Sequence, residues 1–513
     1  MPFAPGTRGF AWALALCGAT LAAASLYVAR GEWRLGHRGL LGQKLLATSL
    51  ITLVFGMALV IGSFVWLSGL FAGNAVEANF SVSRQDSRCA QGAEGWRVYD
   101  ADPGHVWNRL YRSLSLRTAR DGREYGRDEL DPLLWWGTTR HLRGGESYTQ
   151  ASACLGEFLD TRAERLVTDP LKRSLLQRDL WAVFDWTTLR SDSPTPETLE
   201  LRRRLAAAIR RLALSHAQIN SLPDTYRTAI ASGAFAPDYD PRTPDAPFLP
   251  PDLFQADGPW VPLGVEGGAE TVASSHVNGF SGRSVFRILI SLPQGRAATL
   301  AYLRSVAEFK KLWVRDRKSP ANPRPNPRLP QFPAGTRLAL VRQMLVIDER
   351  GEPVPTSVVE SVQVRLHRSV PQEIPEAFDI GKDVARAMLA VCEFRLSRAR
   401  LFAGEAGGLR AVARDEREFP LFQSHGDDPF ELQTDAGESF ERHLLPILGS
   451  CSTCHFRPGI HSVLGRTPDI TQLRLRDVRR DLLPATDYAQ EADLTKTWKL
   501  KQESWRLLRE LWE

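Results

Sequence analysis

Two thiols and an imidazole stand within five consecutive positions near the end of the chain, in Cys-Ser-Thr-Cys-His at residues 451–455. On one helical turn, Cys451 and Cys454 can point the same way and form thioether bonds with the two vinyl groups of one haem. His455 can then ligate the iron from one face of the ring. Because the chain has six cysteines and ten histidines, chance would produce this motif in about one of a thousand chains of its length. The motif predicts one covalent haem c, held by Cys451 and Cys454, with His455 as the proximal iron ligand.

The residues alone leave three other uses of this cysteine pair open. A structural zinc site needs four ligands; His461 can supply a third, but the chain has no second pair of cysteines at that spacing. A redox dithiol of the thioredoxin kind opens a helix after a buried strand, whereas here a helix is predicted immediately before the motif. A plain structural disulfide is the third alternative.

The approach to the motif strengthens the haem interpretation. The segment HLLPILGSCSTCH, residues 443–455, resembles the opening of a c-type cytochrome domain, in which an amphipathic helix leads into the attachment motif. The resemblance covers residues 435–513 and is specific at the pentapeptide and its approach helix. It implies that Cys451 and Cys454 carry the haem, that His455 ligates the iron, and that the tryptophan-bearing terminal helix packs on the approach helix.

The sequence departs from that family at the sixth iron ligand. Compact cytochromes of this kind usually place a methionine ligand well downstream of the motif, and no methionine follows Met388 in this chain. The residues that remain as candidates are His461, His443, His425 and Met388. An open sixth coordination position is the further possibility.

The first seventy residues predict export and a membrane anchor. Two uncharged apolar runs, Gly9–Ala29 and Ala47–Gly73, are each long enough to span a bilayer, which takes about 20 residues as a helix. The loop between them is basic, so the positive-inside tendency places it in the cytoplasm and the main body outside, in the periplasm of a Gram-negative cell. The second run could instead be a signal peptide cut near Ala75.

The hydrophobic patterns predict a multidomain α+β protein. The expected order is a membrane anchor of two transmembrane helices or a signal anchor (1–75), a helical region (76–233), a proline-rich linker (234–262), an antiparallel β region (263–372), a helix with a connecting segment (373–434), and a mainly helical cytochrome c-like domain (435–513). The tryptophans of the helical region are expected in its core, and Cys89 and Cys154 can form a disulfide.

These features favour an anchored electron-transfer protein with one haem and a redox partner protein that the sequence does not identify. The charge of +6 is modest, and basic residues alternate with acidic ones, which argues against a nucleic-acid partner. A defined catalyst is disfavoured, because a single haem leaves no evident second redox centre. Two alternatives remain: a haem-dependent oxidoreductase with an open coordination site, and a non-catalytic extracytoplasmic interaction protein whose cysteine pair is structural or holds a metal.

Overall fold

The computed structural model describes residues 89, 96–119, 122–131, 138, 140–189, 194–265, 270–309, 313–315, 323–326, 328–370, 388–418, 430, 444–450, 455, 459–463, 482–484 and 489–513. The chain divides into two units, residues 1–86 and residues 87–513. All of the described residues belong to the second unit.

Short helices and strands alternate along this unit. The helices are α1 (Val106–Ser115), α2 (Gly145–Asp160), α3 (Pro170–Thr188), α4 (Pro196–Arg211), α5 (His216–Asn220), α6 (Thr225–Ala231), α7 (Ser274–Gly279), α8 (Arg296–Ala307), α9 (Arg398–Phe402), α10 (Ile447–Ser450), α11 (Gln490–Leu500) and α12 (Glu503–Glu510). The strands are β1 (Arg117–Thr118), β2 (Glu124–Tyr125), β3 (Val261–Val265), β4 (Ser284–Ser291), β5 (Trp313–Arg315), β6 (Pro323–Pro325), β7 (Arg337–Ile347), β8 (Pro353–His367), β9 (Leu389–Leu396), β10 (Leu409–Ala411), β11 (Arg417–Glu418), β12 (Leu445–Pro446) and β13 (Leu482–Pro484).

Two helices before residue 233, α3 and α4, begin where the sequence predicts. Asp169 and Thr195 each precede a proline at the first helical position, which has no N–H to satisfy. The Asp169 side chain accepts a hydrogen bond from the backbone N–H of Leu171 and so caps α3. Thr195 caps α4 in the same way, by accepting from the N–H of Thr198. These two start signals are confirmed.

Seven strands form one antiparallel sheet in the order β10-β9-β8-β7-β4-β3-β13. The longest pairing joins β7 and β8 across the turn that the sequence predicts at residues 348–355, so the predicted hairpin is confirmed. Because side chains alternate along a strand, the sheet has two different faces. One carries Val285, Leu289 and Val341 into the main core with α1–α4. The other carries Phe286 and Ile288 into a smaller cluster with α7.

Tryptophans and a disulfide hold the helical layer together. Trp181 and Trp186 are 0% and 4% exposed, which confirms their predicted place in the core, whereas Trp135 and Trp136 lie outside the described residues. Cys89 and Cys154 form the disulfide that the sequence suggested. Since it links residues 65 positions apart, it removes much of the freedom of the unfolded chain.

The predicted membrane-anchored fold needs correction. The two apolar runs, Gly9–Ala29 and Ala47–Gly73, lie outside the described residues, and no described helix is long and apolar enough to cross a membrane. Even α3, with 19 residues, carries five charged side chains, at positions 172, 173, 178, 179 and 185. The part of the chain that the structure describes therefore does not support the predicted transmembrane helices or the membrane-anchored periplasmic location derived from them.

The predicted cytochrome c-like fold of residues 435–513 is also wrong. Strand β13, at Leu482–Pro484, pairs with β3 of the central sheet instead of contributing to a separate helical domain. The terminal helix is broken into α11 and α12, and Trp505 of α12 packs against Trp181 of α3 with ring centres 5.8 Å apart. The hydrophobic face of α12 is thus buried against the central core of residues 87–513.

A further difference concerns the helix predicted from residue 374 onward. Its described part at Leu389–Leu396 is strand β9, which pairs with β8 from Leu389 to Arg395. Every second residue, Ala390, Cys392 and Phe394, faces the main core. The apolar residues of this segment therefore match the two-residue period of a strand as well as the period of a helix. Pairing with a long neighbouring strand overrides the local helical preference. In the described part of this segment, α9 (Arg398–Phe402) is helical.

Candidate functional site

The structure describes part of the predicted haem site. Cys451, Cys454, His425 and His443 lie outside the described residues. His461 lies in the turn Gly459–Ser462, but its side chain is likewise outside them. Met388 directly precedes β9, where its carbonyl oxygen accepts a hydrogen bond from the N–H of Arg368. The residue of the motif that the structure describes is His455.

The ring of His455 has a defined orientation and protonation state. Its Nδ1 donates to the carbonyl oxygen of Ser462 at 2.5 Å, so Nε2 is the nitrogen that carries a lone pair in the neutral ring. Burial lowers the pKa of His455 to about 3, and the charge of Arg365, together with that of His276 when it is protonated, adds to this effect. His455 is therefore a neutral imidazole at physiological pH, which is the form that binds metals.

The turn that holds Ser462 is fixed to the sheet side of the molecule. The N–H of Ile460 donates to Oε1 of Gln331 at 3.0 Å, and Ile460 is 1% exposed in a cluster with Leu329 and Phe332. Gly459 has a φ of +65°, and a Cβ atom built there would lie 1.9 Å from Oε1 of Gln331. Glycine is therefore required at the point where the chain leaves the motif.

Replacing Gly459 by alanine is expected to lower the free energy of unfolding by about 2 kcal/mol, because the left-handed backbone becomes strained and the Gln331–Ile460 hydrogen bond is displaced. A matched control is Gly404→Ala. Gly404 also has a positive φ, of +72°, but among the described residues nothing lies within 4 Å of its Cβ position, so only the strain of about 1 kcal/mol remains. Urea titration of both variants measures the difference; equal losses would contradict the role given to Gln331.

A second histidine faces His455. His276 lies on α7, and its ring packs against Phe286 of β4 with ring centres 5.4 Å apart. The ring centres of His276 and His455 are 6.3 Å apart, and the two ring planes differ by 4°. Burial, followed by the charge of Arg365, lowers the pKa of His276 to about 4. Two neutral, parallel imidazoles thus lie at the same site.

A third histidine lies behind the turn. His367 ends β8 and is 0% exposed; its Nε2 lies 3.4 Å from Oγ of Ser462, and its ring meets the edge of Phe332 at 4.6 Å between centres. Burial and then Arg365 lower the pKa of His367 to about 3. Because Ser462 also accepts from His455, His367 belongs to the second layer around the site.

Sequence reasoning missed His276 and His367. Both lie far upstream of the motif, and no local spacing connects them with it. One signal was present: His367 lies near the end of a strand predicted at Ser357–Ser369, whose alternation places it on the same face as Arg365. No comparable signal existed for His276, because its position depends on how α7 folds over β4.

A buried network of charged side chains adjoins this site. Arg342 stacks over the ring of Phe280 at 3.9 Å, Phe280 packs on Phe286, and Phe286 packs on His276. Ion pairs then connect four cations with three carboxylates, all of them buried: Arg178, Arg283, Arg342, Lys499, Asp131, Asp185 and Glu360.

The network connects helix α3, strands β7 and β8 of the sheet, and the C-terminal helix α11. Arg178 of α3 contacts Asp131 at 2.8 Å, Arg342 of β7 contacts Glu360 of β8 at 2.7 Å, and Lys499 of α11 contacts Asp185 of α3 at 2.7 Å. Burial lowers the pKa of Lys499 to about 8 although Asp185 opposes that shift. These contacts explain why the C-terminal helices are held against α3 and the sheet.

The predicted metal-binding group also needs correction. Among the described residues, no group of three or more His, Cys, Asp or Glu side chains is arranged to hold a metal ion. The described side chains therefore form no metal site of their own. A haem iron differs from such a site, because the porphyrin supplies four nitrogen ligands and the protein supplies one or two.

Comparison with known proteins provides no further assignment. No family model, no curated protein and no solved structure matches this chain. The features that bear on function are therefore the motif at residues 451–455 and the histidines that the fold places beside His455.

Proposed function

We propose that the protein carries one covalent haem c, attached through Cys451 and Cys454, and transfers single electrons to or from a redox partner protein. His455 is the proximal iron ligand in this proposal. The observation that supports it most strongly is that His455 is neutral and that its Nδ1–H is held by the carbonyl oxygen of Ser462, which leaves Nε2 available to a metal.

The side chains near His455 include the aromatic and apolar types that pack against a porphyrin. Phe280 and Phe286, which are 4% and 2% exposed, pack together next to His276 and provide the apolar and aromatic surface that a porphyrin requires. Arg365 lies close enough to affect the pKa values of all three histidines. The guanidinium of Arg365 can also balance the negative charge of haem carboxylates.

The chain's own groups have distinct tasks in this function. The haem, when bound, supplies an iron that gains and loses one electron. His455 would hold that iron through Nε2, and the carbonyl of Ser462 fixes the ring's orientation and increases its basicity. His367 supports Ser462 from behind. Apolar packing around the site excludes water, which controls the reduction potential.

The number of motifs favours electron transfer over catalysis. The chain contains one Cys-x-x-Cys-His sequence and therefore one predicted haem. A single one-electron centre matches the task of a carrier that exchanges electrons with another protein. We therefore favour a carrier over an oxidoreductase that completes a multi-electron reaction by itself.

The cysteine dependence of the haem content tests this proposal. Wild-type protein and a Cys451→Ala/Cys454→Ala variant are produced in a host that attaches haem to such motifs, and the haem that resists acid–acetone extraction is measured by absorbance. We expect about one haem per chain in the wild type and none in the variant, because no thioether can form.

Cys392→Ala is the matched control. Cys392 is a buried free thiol on β9, so this variant tests whether loss of a cysteine by itself reduces haem content. It should retain the wild-type amount. A double variant that also keeps its covalent haem, or a wild type that never acquires any, would exclude the proposed function.

A further inference from the structure

We propose that helix α11 (Gln490–Leu500) holds α7 at both ends and thereby positions His276 against His455. The residues that do so are Glu491, near the start of α11, and Lys499, near its end. Both act through α7, so they are positioning residues for the histidine site. The inference goes beyond the proposed function, because it concerns how the site is assembled and its test needs no haem.

Helix α7 cannot fix its own position. It has six residues, Ser274–Gly279, whereas isolated helices shorter than about 12–15 residues are marginal in water. Its N-cap residue is Ala273, whose methyl group cannot accept a hydrogen bond from the first turn. The position of His276 must therefore come from the tertiary contacts of α7.

Lys499 holds the turn that ends α7. Ser281 has a φ of +52°, a left-handed conformation that is unfavourable for a residue with a Cβ atom. Nζ of Lys499 donates to the carbonyl oxygen of Ser281 at 2.9 Å. It also donates to Oδ2 of Asp185 at 2.7 Å and to Oγ of Ser504 at 3.2 Å. Because Lys499 is 0% exposed, water cannot replace these bonds, and the surroundings keep the turn in its unfavourable conformation.

Close packing at the same turn brings α7 against α11. Gly282 follows Ser281 with a φ of +66°, and a Cβ atom built there would lie 2.7 Å from the ring of Trp498. Glycine is therefore required where the backbone meets this ring. Trp498 also packs against the cluster that contains Phe286, and the ring of His276 packs on Phe286.

The start of α7 is held by the start of α11. The N–H of Val272, two residues before α7, donates to Oε1 of Glu491 at 3.4 Å. Glu491 is 4% exposed, and Thr495, one turn further along α11, is 0% exposed. Glu491 and Lys499 lie about 12 Å apart along the helix, so α11 contacts both ends of α7 at once.

Helix α12 fixes α11 to the helical layer. Trp505 packs on Trp181 of α3 with ring centres 5.8 Å apart. The Nε1–H of Trp512 donates to the carbonyl oxygen of Ala206 on α4 at 2.7 Å. The C-terminal helices therefore connect the main core on one face of the sheet with the α7 cluster and His276 on the other.

Hydrogen exchange of the full chain, measured by mass spectrometry, tests the inference through the amides of residues 274–283. Lys499→Met keeps the length of the side chain and removes its ammonium. We expect these amides to exchange at least about tenfold faster, the effect of losing a hydrogen bond to a charged group. Lys496→Met is the matched control. Lys496 lies on the same helix, is 33% exposed and pairs with Asp493, so exchange at residues 274–283 should stay unchanged.

Two substitutions of Glu491 separate positioning from a general loss of stability. Glu491→Ala should accelerate exchange of the same amides by about threefold to tenfold. Glu491→Gln keeps the acceptor oxygen and should retain wild-type exchange. The amides of α2 (Gly145–Asp160) are the internal reference, since Cys154 ties that helix to Cys89, and their exchange should be the same in every variant.

Unchanged exchange at residues 274–283 in Lys499→Met, or an acceleration that affects α2 equally, would overturn the inference. If Lys499→Met does not fold, the Glu491 variants decide. Equal exchange in Glu491→Ala and the wild type, or in Glu491→Ala and Glu491→Gln, would refute the role given to α11. Because none of these measurements depends on haem content, a failure of this inference is distinguished from a failure of the proposed function.

Discussion

Asp131→Asn is expected to lower the free energy of unfolding by about 3–5 kcal/mol, the usual effect of removing one partner from a buried ion pair. The carboxylate of Asp131 contacts three guanidiniums at once, those of Arg178, Arg283 and Arg342. Asp131 and Arg283 have side chains that are 0% exposed, so solvent cannot take the place of the lost charge. Three arginines would then share Glu360 and Asp185 as their remaining counterions.

The protonation state of Asp131 follows from the same contacts. Burial alone would raise its pKa, but the guanidiniums of Arg178, Arg283 and Arg342 hold the pKa of this carboxyl well below its usual range. Asp131 is therefore ionised in the folded protein down to low pH. Asparagine keeps the size of the side chain and removes only the charge, so the variant isolates the electrostatic contribution.

Asp240→Asn is the control for this experiment. Asp240 also pairs with an arginine, Arg242 at 2.9 Å, but the two side chains are 36% and 88% exposed. Exposed pairs contribute little, and a loss of at most about 0.5 kcal/mol is expected. Chemical denaturation of both variants measures the difference. A loss below 1 kcal/mol for Asp131→Asn would show that the network does not support the fold.

The second large effect is a loss of stability in mild acid. His367 is 0% exposed and its pKa is lowered to about 3 by burial and by Arg365. The pKa of His141 is lowered to about 3 as well, by burial and by the charge of Arg117. Both must remain neutral in the folded protein, although an unfolded histidine takes up a proton near pH 6.5.

The direction of the effect follows from proton linkage. Between pH 6.5 and about 3 the unfolded chain binds more protons than the folded protein, so the free energy of unfolding decreases as the pH falls. From neutral pH to pH 4, His367 alone accounts for a loss of about 3 kcal/mol, and His141, which is less deeply buried, adds to it. The free energy of unfolding of a typical domain is about 5–15 kcal/mol, so a loss of about 3 kcal/mol is a large part of it.

His367→Leu tests this prediction, since leucine removes the titrating group from a buried position. The variant should lose about 3 kcal/mol less than the wild type between pH 7 and pH 4, measured by denaturant unfolding at each pH. His216→Ala, at an exposed position on α5, should leave the pH profile unchanged. If the His367→Leu profile also coincided with that of the wild type, His367 would not be the acid-sensitive group.

Features that depend on neighbouring residues were predictable from the sequence. The caps at Asp169 and Thr195 act within one helical turn, and the β7–β8 hairpin is encoded by two alternating strands and the turn between them. The core positions of Trp181 and Trp186 follow from helical spacing. Each of these predictions needs only the chemistry of a short segment.

Features that depend on distant pairing were not predictable in the same way. Strand β9 looks helical by its own sequence, and pairing with β8 decides its structure. The C-terminal segment resembles the end of a cytochrome domain, but Leu482–Pro484 joins the central sheet. His276 meets His455 only because α7 folds over β4. Such contacts are properties of the whole topology and leave no local pattern.

The most direct test of the central claim is mass spectrometry of the proteolytic peptide that contains residues 451–455, from protein made in a haem-attaching host. We expect this peptide to be heavier by the mass of one haem, with both Cys451 and Cys454 modified. A peptide of unmodified mass, or one in which the two cysteines form a disulfide, obtained from colourless protein, would contradict it.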